Sequence, residues 1–195
     1  MAIDPTWHGK EMIRNLVQIL FVVTLSAPVV AAEPFVPQGF DVPEQLETDN
    51  FRIRVLTVND VVKDYDAVMS SLEYLQEQFL EEWGWPRDDL SLEQDLIDLG
   101  WHQKEFQMRS SFAYTVVTLD ESRVIGCLYI FPFGKGGYDA QATMWVRSDM
   151  LEFGLDEDLY KTVRSWIDED WPFERTAYPG REMSWEEFNK LSASD

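Results

Sequence analysis

The residue types that most often carry chemistry are scarce in this chain, and their spacing limits what they could do. Cys127 is the only cysteine, so neither an intramolecular disulfide nor a cysteine-based metal site can form. It sits inside an apolar run, where a small buried thiol is expected rather than a nucleophile. His8 and His102 are the only histidines, which is too few for a histidine-rich metal site, and no metal is expected. Gly134-Lys135-Gly136-Gly137 has the composition of a phosphate loop. It lacks the Walker spacing and lies between two strand-like runs, so it reads as a hairpin turn. Trp83, Trp85, Trp101, Trp145, Trp166 and Trp171 could wall an apolar pocket, although core packing accounts for most of them.

The elements that must position these residues follow from hydrophobic periodicity. Phe51 to Leu56 alternates apolar and charged residues and reads as a strand. Thr57 and Asp60 form a capping-box pair. Val61, Val62, Tyr65, Val68, Met69, Leu72, Leu75 and Phe79 then recur at three- and four-residue steps. That spacing predicts one helix of about twenty residues, ended by Gly84 and Pro86. Ser91 with Gln94 opens a second helix, with Leu92, Leu96, Leu99, His102 and Phe106 as its apolar stripe. Phe112–Leu119, Arg123–Pro132 and Tyr138–Arg147 read as three antiparallel strands joined by short connections. Leu155–Trp171 reads as a helix stopped by Pro172. A short strand, Phe173–Tyr178, can pair in parallel through the helical crossover, and Ser184 with Glu187 caps a terminal helix. The expected class is α/β (α+β): a mixed, mainly antiparallel sheet flanked by helices.

Of 195 residues, 36 are acidic and 16 basic, a net charge of −20. Such a surface repels polyanions, so nucleic acid and anionic membrane are not expected partners. With 8 Trp, 7 Tyr and 12 Phe there is ample apolar material for one globular domain. Leu16 to Val30 is an uncharged, mostly apolar run preceded by Lys10 and Arg14. Val30-Ala31-Ala32 follows, with small residues placed for a cut before Glu33. Residues 1–32 therefore read as a signal peptide or N-terminal extension, and Met12 is an alternative start. The run is short for a membrane span, and no span is expected in the mature chain. The expected location is periplasmic or extracellular if the signal is real, otherwise cytoplasmic. Residues 33–50, with Pro34, Pro37 and Pro43, read as an extended lead-in, and 51–195 as the domain.

The element order over residues 51–178 resembles the GNAT (GCN5-related N-acetyltransferase) superfamily. Phe51-Arg52-Ile53-Arg54 with Thr57, Trp101 to Phe106, Ser111 to Val116, Tyr138-Asp139-Ala140 and Thr143 to Arg147 resemble more particularly a GNAT-like branch found in bacterial genomes. The resemblance implies acetyl-CoA as cofactor. Trp145, Val146 and Arg147 would offer backbone groups to its pantetheine arm, while Gly154 and Leu155 would begin the helix that cradles its pyrophosphate. The loop departs from the family pattern: Leu151 stands for glutamine or arginine and Asp156 for a small residue. Asp156, Glu157 and Asp158 would repel a pyrophosphate, each charge costing roughly 0.7–3 kcal/mol at about 6 Å. Glu105 and His102 are implied as candidate bases and Tyr178 as a candidate acid. Each has a plainer reading: His102 as a core or boundary histidine, Glu105 as a solvated charge, Tyr178 as packing. Family members usually continue with further strands beyond the position where this sequence ends, so an acceptor side that is reduced or supplied by a partner is expected.

Two functions remain open at this level. One is an acyl-CoA-dependent N-acyltransferase whose acidic surface suits a cationic amine, such as a polyamine or basic peptide. The other is an exported, non-catalytic GNAT-fold protein that binds a small molecule or a protein. The resemblance also implies a homodimer.

Overall fold

A computed structural model describes residues 34–79 and 84–193. The expectations placed on residues 1–32 lie outside the described residues. Strands β1 (Gln45–Glu47) and β2 (Arg52–Val55) precede two helices, α1 (Val61–Met69) and α2 (Leu72–Gln78). Helix α3 (Leu92–Met108) leads into β3 (Phe112–Val117), β4 (Val124–Pro132) and β5 (Ala140–Val146). Helix α4 (Leu155–Asp170), β6 (Thr176–Ala177) and α5 (Trp185–Ala193) complete the order. The six strands lie in sequence order, antiparallel from β1 to β5, with β6 parallel to β5. The expected mixed sheet flanked by helices is the observed fold.

Period-two alternation sorts the strand residues onto two faces. Phe112, Tyr114, Val116, Ile125, Leu128, Ile130, Ala142, Met144 and Val146 pack with Leu159, Val163, Trp166 and Ile167 of α4. Ala113, Val117, Cys127 and Trp145 face the opposite way, with Val68 of α1 and Leu99 of α3. Gly126 lets β4 and β5 approach closely, since a Cβ there would stand 2.3 Å from the Trp145 carbonyl oxygen. The Gly134–Gly137 segment joins β4 to β5 as a turn, with Gly136 and Gly137 at φ 60° and 76°.

Three details differ from the sequence expectation. The long first helix is broken in two at Ser70-Ser71. Ser71 accepts a hydrogen bond from the Ser148 amide at 2.9 Å, and Ser70 Oγ turns back onto the Ala67 carbonyl. Hydroxyls that bond elsewhere compete with the helical ladder. The lead-in contributes an edge strand, β1, and is anchored to the core. Tyr114 donates to the Pro43 carbonyl at 2.7 Å, and Arg109 donates to the carbonyls of Pro37 and Phe40.

The third difference lies on α3. Its capping box forms as expected, with the Gln94 amide donating to Ser91 Oγ at 3.2 Å. The buried stripe is rotated, however: Leu92 and Leu96 are 44% and 43% exposed, while Asp95 is 5% exposed. Aspartate is the last residue type periodicity assigns to a core.

Candidate functional site

Asp95, Asp98, Leu99, His102 and Glu105 recur at helical spacing and share one face of α3. Opposite them stand Tyr129 and Phe131 of β4 and Thr143 of β5, whose odd-numbered side chains share the sheet face covered by α1 and α3. With Phe79, Trp85 and Trp101 they enclose a cavity of about 480 Å³. Its walls are mostly aromatic and its polar groups mostly acidic.

His102 rests on Tyr129, with ring centroids 5.0 Å apart. Among the described residues its Nδ1 is buried without a hydrogen-bond partner, and it stands 3.8 Å from Glu105 Oε2, too far for one. Burial lowers the His102 pKa, with Glu105 and Asp98 opposing, so the imidazole is neutral at pH 7. Glu105 is held in place by Ser111, whose hydroxyl donates to Oε2 at 2.7 Å. A neutral imidazole beside a fixed carboxylate is an arrangement that can take a proton from an amine.

Behind the cavity wall at Asp95 lies a buried polar cluster. Asp64 of α1 is buried and accepts the Cys127 thiol at 3.3 Å. Asp64 and Asp95 act on each other across the α1–α3 contact, and burial drives both carboxyls upward. Two facing carboxylates have only acceptors, so a proton between them supplies the missing donor. Asp95 Oδ2 remains buried without a partner among the described residues. Asp60, one turn before Asp64, is a different case. Arg54 binds it bidentately at 2.7 and 2.9 Å. Burial opposes its ionisation, but the Arg54 and Thr57 contacts outweigh that and hold it below the usual carboxylate range.

A second feature lies at the β5–β6 junction. The two strands pair only at Ala140–Thr176 and Gln141–Ala177. The Arg147 amide donates to Ile125 of β4, so by alternation the backbone groups of Ala142, Met144 and Val146 point away from β4, beyond the end of β6. The resulting gap is narrow, about 20 Å³, and Thr143, Met144, Pro179, Arg181 and Trp185 line it with Gln78 and Phe79. Trp185 closes it, donating from Nε1 to the Gln78 carbonyl at 3.2 Å and packing on Gly180. Beside the gap, Arg181 forms a bidentate pair with Asp156 at 2.5 and 2.6 Å.

The residues expected to hold a cofactor are thus dispersed. Val146 presents its backbone to the gap. Trp145 does not: its backbone faces Cys127 of β4, and its indole is buried on the α1/α3 face near Trp85. The Arg147 side chain is held by Asp66 at 2.6 Å and Asp149 at 3.4 Å. Gly154, at φ 73°, ends the 3₁₀ segment Ser148–Phe153 and starts α4, while the Leu155 side chain enters the core. The repulsive Asp156 of the sequence reading is neutralised by Arg181, a contact across twenty-five positions that helix-start spacing does not reveal.

Of the expected acid–base residues, His102 and Glu105 meet in one cavity and Tyr178 does not join them. Tyr178 is buried on the α4 face against Tyr160, and burial raises its phenol pKa. Asp64, Asp95, Asp98 and Tyr129 are not marked out by any sequence motif, and Thr143 is marked only by the Thr143–Arg147 resemblance. The readable clue was Asp95 and Asp98 lying seven and four residues before His102.

No protein-family model matches the chain, and no curated protein matches it. Solved structures do. The ribosomal-protein-S5-alanine acetyltransferase from Vibrio fischeri is 15% identical, with 65% of this chain and 67% of that chain covered and a TM-score of 0.53. A probable acetyltransferase is 13% identical, covering 69% of this chain and 72% of that one at a TM-score of 0.55. The microcin C7 self-immunity acetyltransferase MccE, solved with acetyl-CoA and AMP, is 9% identical over 65% and 68% of the two chains, TM-score 0.52. The fold is that of the GNAT superfamily. Identities this low define the fold and leave the activity to the site.

Proposed function

We propose that the protein is an acyl-CoA-dependent N-acyltransferase that takes a cationic amine in the cavity between α3, β4 and β5. One observation carries the reading: Thr143 and Phe79 line both that cavity and the gap beside β5. An amine in the first is therefore next to a donor in the second. The edge of β5 at Met144 and Val146, which pairs with no strand among the described residues, fits an amide-bearing arm. The start of α4 fits phosphates less well while Asp156 holds Arg181. Acyl-CoA, when bound, supplies the thioester carbonyl that the amine attacks.

The chain's own groups have separate tasks. Asp95, Asp98 and Glu105 attract the cation, and the aromatic walls receive its apolar part. His102, neutral and set against Glu105, accepts the amine proton directly or through a water. Tyr178 has no part in this reading because its ring lies on the other face of the sheet.

The likeness in fold to MccE, solved with acetyl-CoA, supports the choice of donor. A second reading, a non-catalytic protein that binds an amine, is favoured by one fact: Trp185 narrows the donor gap to about 20 Å³. Location separates the two readings as well. Acyl-CoA is cytosolic, so an exported domain goes with the second, and the native N-terminus decides whether residues 1–32 are removed. Among the described residues no helix is long and apolar enough to cross a membrane.

The test is thiol release by the full chain from acetyl-CoA with a panel of primary amines, with product mass as confirmation. Amine-dependent release supports the proposal. No release, together with no heat on titrating acetyl-CoA to millimolar concentration, refutes it and leaves the binding protein.

A further inference from the structure

We propose that the cavity wall at Asp95 is an ammonium site, in which the head of a primary amine pairs with Asp95 and takes the place of the proton it shares with Asp64 behind it, so that binding releases a proton to solvent. This rests on the amine reading above and specifies how the cavity selects its ligand.

Three observations support it. Asp95 is 5% exposed yet lines the cavity, and its Oδ2 has no partner among the described residues. An acceptor left in that state costs its full desolvation penalty until a donor arrives. Asp64 stands behind it, buried, its Oδ1 taken by Cys127. Burial and mutual repulsion hold back the second ionisation of the pair, so near pH 6.5 it keeps a proton that a compensating cation would displace. A primary ammonium brings one positive charge and three donors, so the balance is RNH₃⁺ in, one proton out, with local charge unchanged.

The other titratable groups facing the pair do not supply that cation. From α1, Asp60 is already bound by Arg54. From β4, burial keeps the Cys127 thiol and the Tyr129 phenol protonated and neutral. From α3, burial keeps His102 neutral, while Asp98 and Glu105 add only negative charge. The walls fit the rest of the ligand, since Tyr129, Phe131, Trp85 and Trp101 offer apolar area and ring faces to an amine. An anionic ligand would meet acids, and a quaternary ammonium brings no N–H for Asp95.

The experiment is calorimetric titration of the full chain with n-butylamine and with 1,4-diaminobutane at pH 6.5, in buffers of different ionisation enthalpy. The expected result is binding whose apparent heat varies with the buffer, corresponding to about 0.5–1 proton released per amine. Asp95→Asn should abolish that variation and weaken binding about tenfold or more, with circular dichroism reporting its fold. Glu169→Gln, an exposed acid on α4 away from the cavity, should keep the proton release. If Asp95→Asn does not fold, the buffer dependence of the unaltered protein decides the matter alone. Binding that is indifferent to buffer, tetramethylammonium binding as tightly as butylamine, or no binding at millimolar amine would each overturn the proposal. No acyl donor is present in this titration, so the two ideas fail separately. Proton-releasing binding without later thiol release ends only the acyltransferase reading. Thiol release without proton-releasing binding ends only the ammonium site.

Discussion

Replacing Asp95 by Asn should change how the stability of the fold depends on pH. Burial raises the Asp95 carboxyl above its ordinary value of 3.8, and the neighbouring Asp64 raises it further. Between that ordinary value and the raised one, the unfolded chain has lost a proton that the folded chain still holds. Stability is thus fully present below about pH 4 and falls as pH rises through the folded value. One retained proton gives a slope of about 1.4 kcal/mol per pH unit, so pH 5 to 7 removes roughly 2–3 kcal/mol. The Asn side chain has nothing to lose in that window and can donate to Asp64 in the proton's place. Other carboxylates in the fold, such as Asp60 beneath Arg54, work in the opposite direction, but they are common to both proteins and cancel in the difference. Urea unfolding of both proteins at pH 5, 6 and 7 measures it. The difference in stability, variant minus parent, should grow by roughly 2–3 kcal/mol across that range, equivalent to a shift in Tm of about 5–10 °C. Parallel curves, within about 0.5 kcal/mol, would mean that the two acids do not share a buried proton.

The remaining predictions concern the donor side, the base and the sheet. His102→Gln should lower amine-dependent thiol release by about 100-fold or more with the melting temperature little changed, and in the parent the acidic limb of the rate profile should lie below pH 6.5, the ordinary histidine value. Asp156→Asn leaves Arg181 free at the start of α4 and removes one negative charge; acetyl-CoA should bind about 3- to 100-fold more tightly by calorimetry, the range set by a unit charge at about 6 Å. Gly126→Ala forces a methyl group to 2.3 Å from the Trp145 carbonyl oxygen. Strands β4 and β5 must then part, and denaturation should show a loss of about 2–4 kcal/mol.

The fold was legible because its signals are redundant. Alternation in β3 to β5, the Ser91–Gln94 and Ser184–Glu187 caps and Pro172 after α4 all point to one element order. The failures occur where a tertiary contact outbids a local rule. Ser71 bonds to Ser148 and breaks a helix that periodicity would continue. Arg181 reaches Asp156 and cancels a charge that looks repulsive in isolation. Most tellingly, the first turns of α3 bury Asp95 and expose Leu92 and Leu96, although Leu99 and Phe106 of the expected stripe do face the core. His102 and Glu105 were visible as chemical types, but the acids that give them surroundings were not, because a buried aspartate contradicts the pattern used to find buried faces.

That contradiction bears on function. A helix facing the core through Asp95 in place of Leu96 forfeits about 1.5–3 kcal/mol of leucine burial and takes on the desolvation of a carboxyl. Among the described residues the acid gains no ion pair in return, and the nearby Arg54 is committed to Asp60 and Arg147 to Asp66 and Asp149. Such a cost is easiest to reconcile with a ligand that repays it. The payment would have to come through the cavity, the side to which the unpartnered Oδ2 of Asp95 belongs. The same cavity meets the open edge of β5 at Thr143, so a cation drawn to the acids arrives where the sheet leaves backbone groups for a second molecule. On the proposed reading the buried acid and the parted strands are two halves of one device, the first choosing an amine and the second offering it a partner.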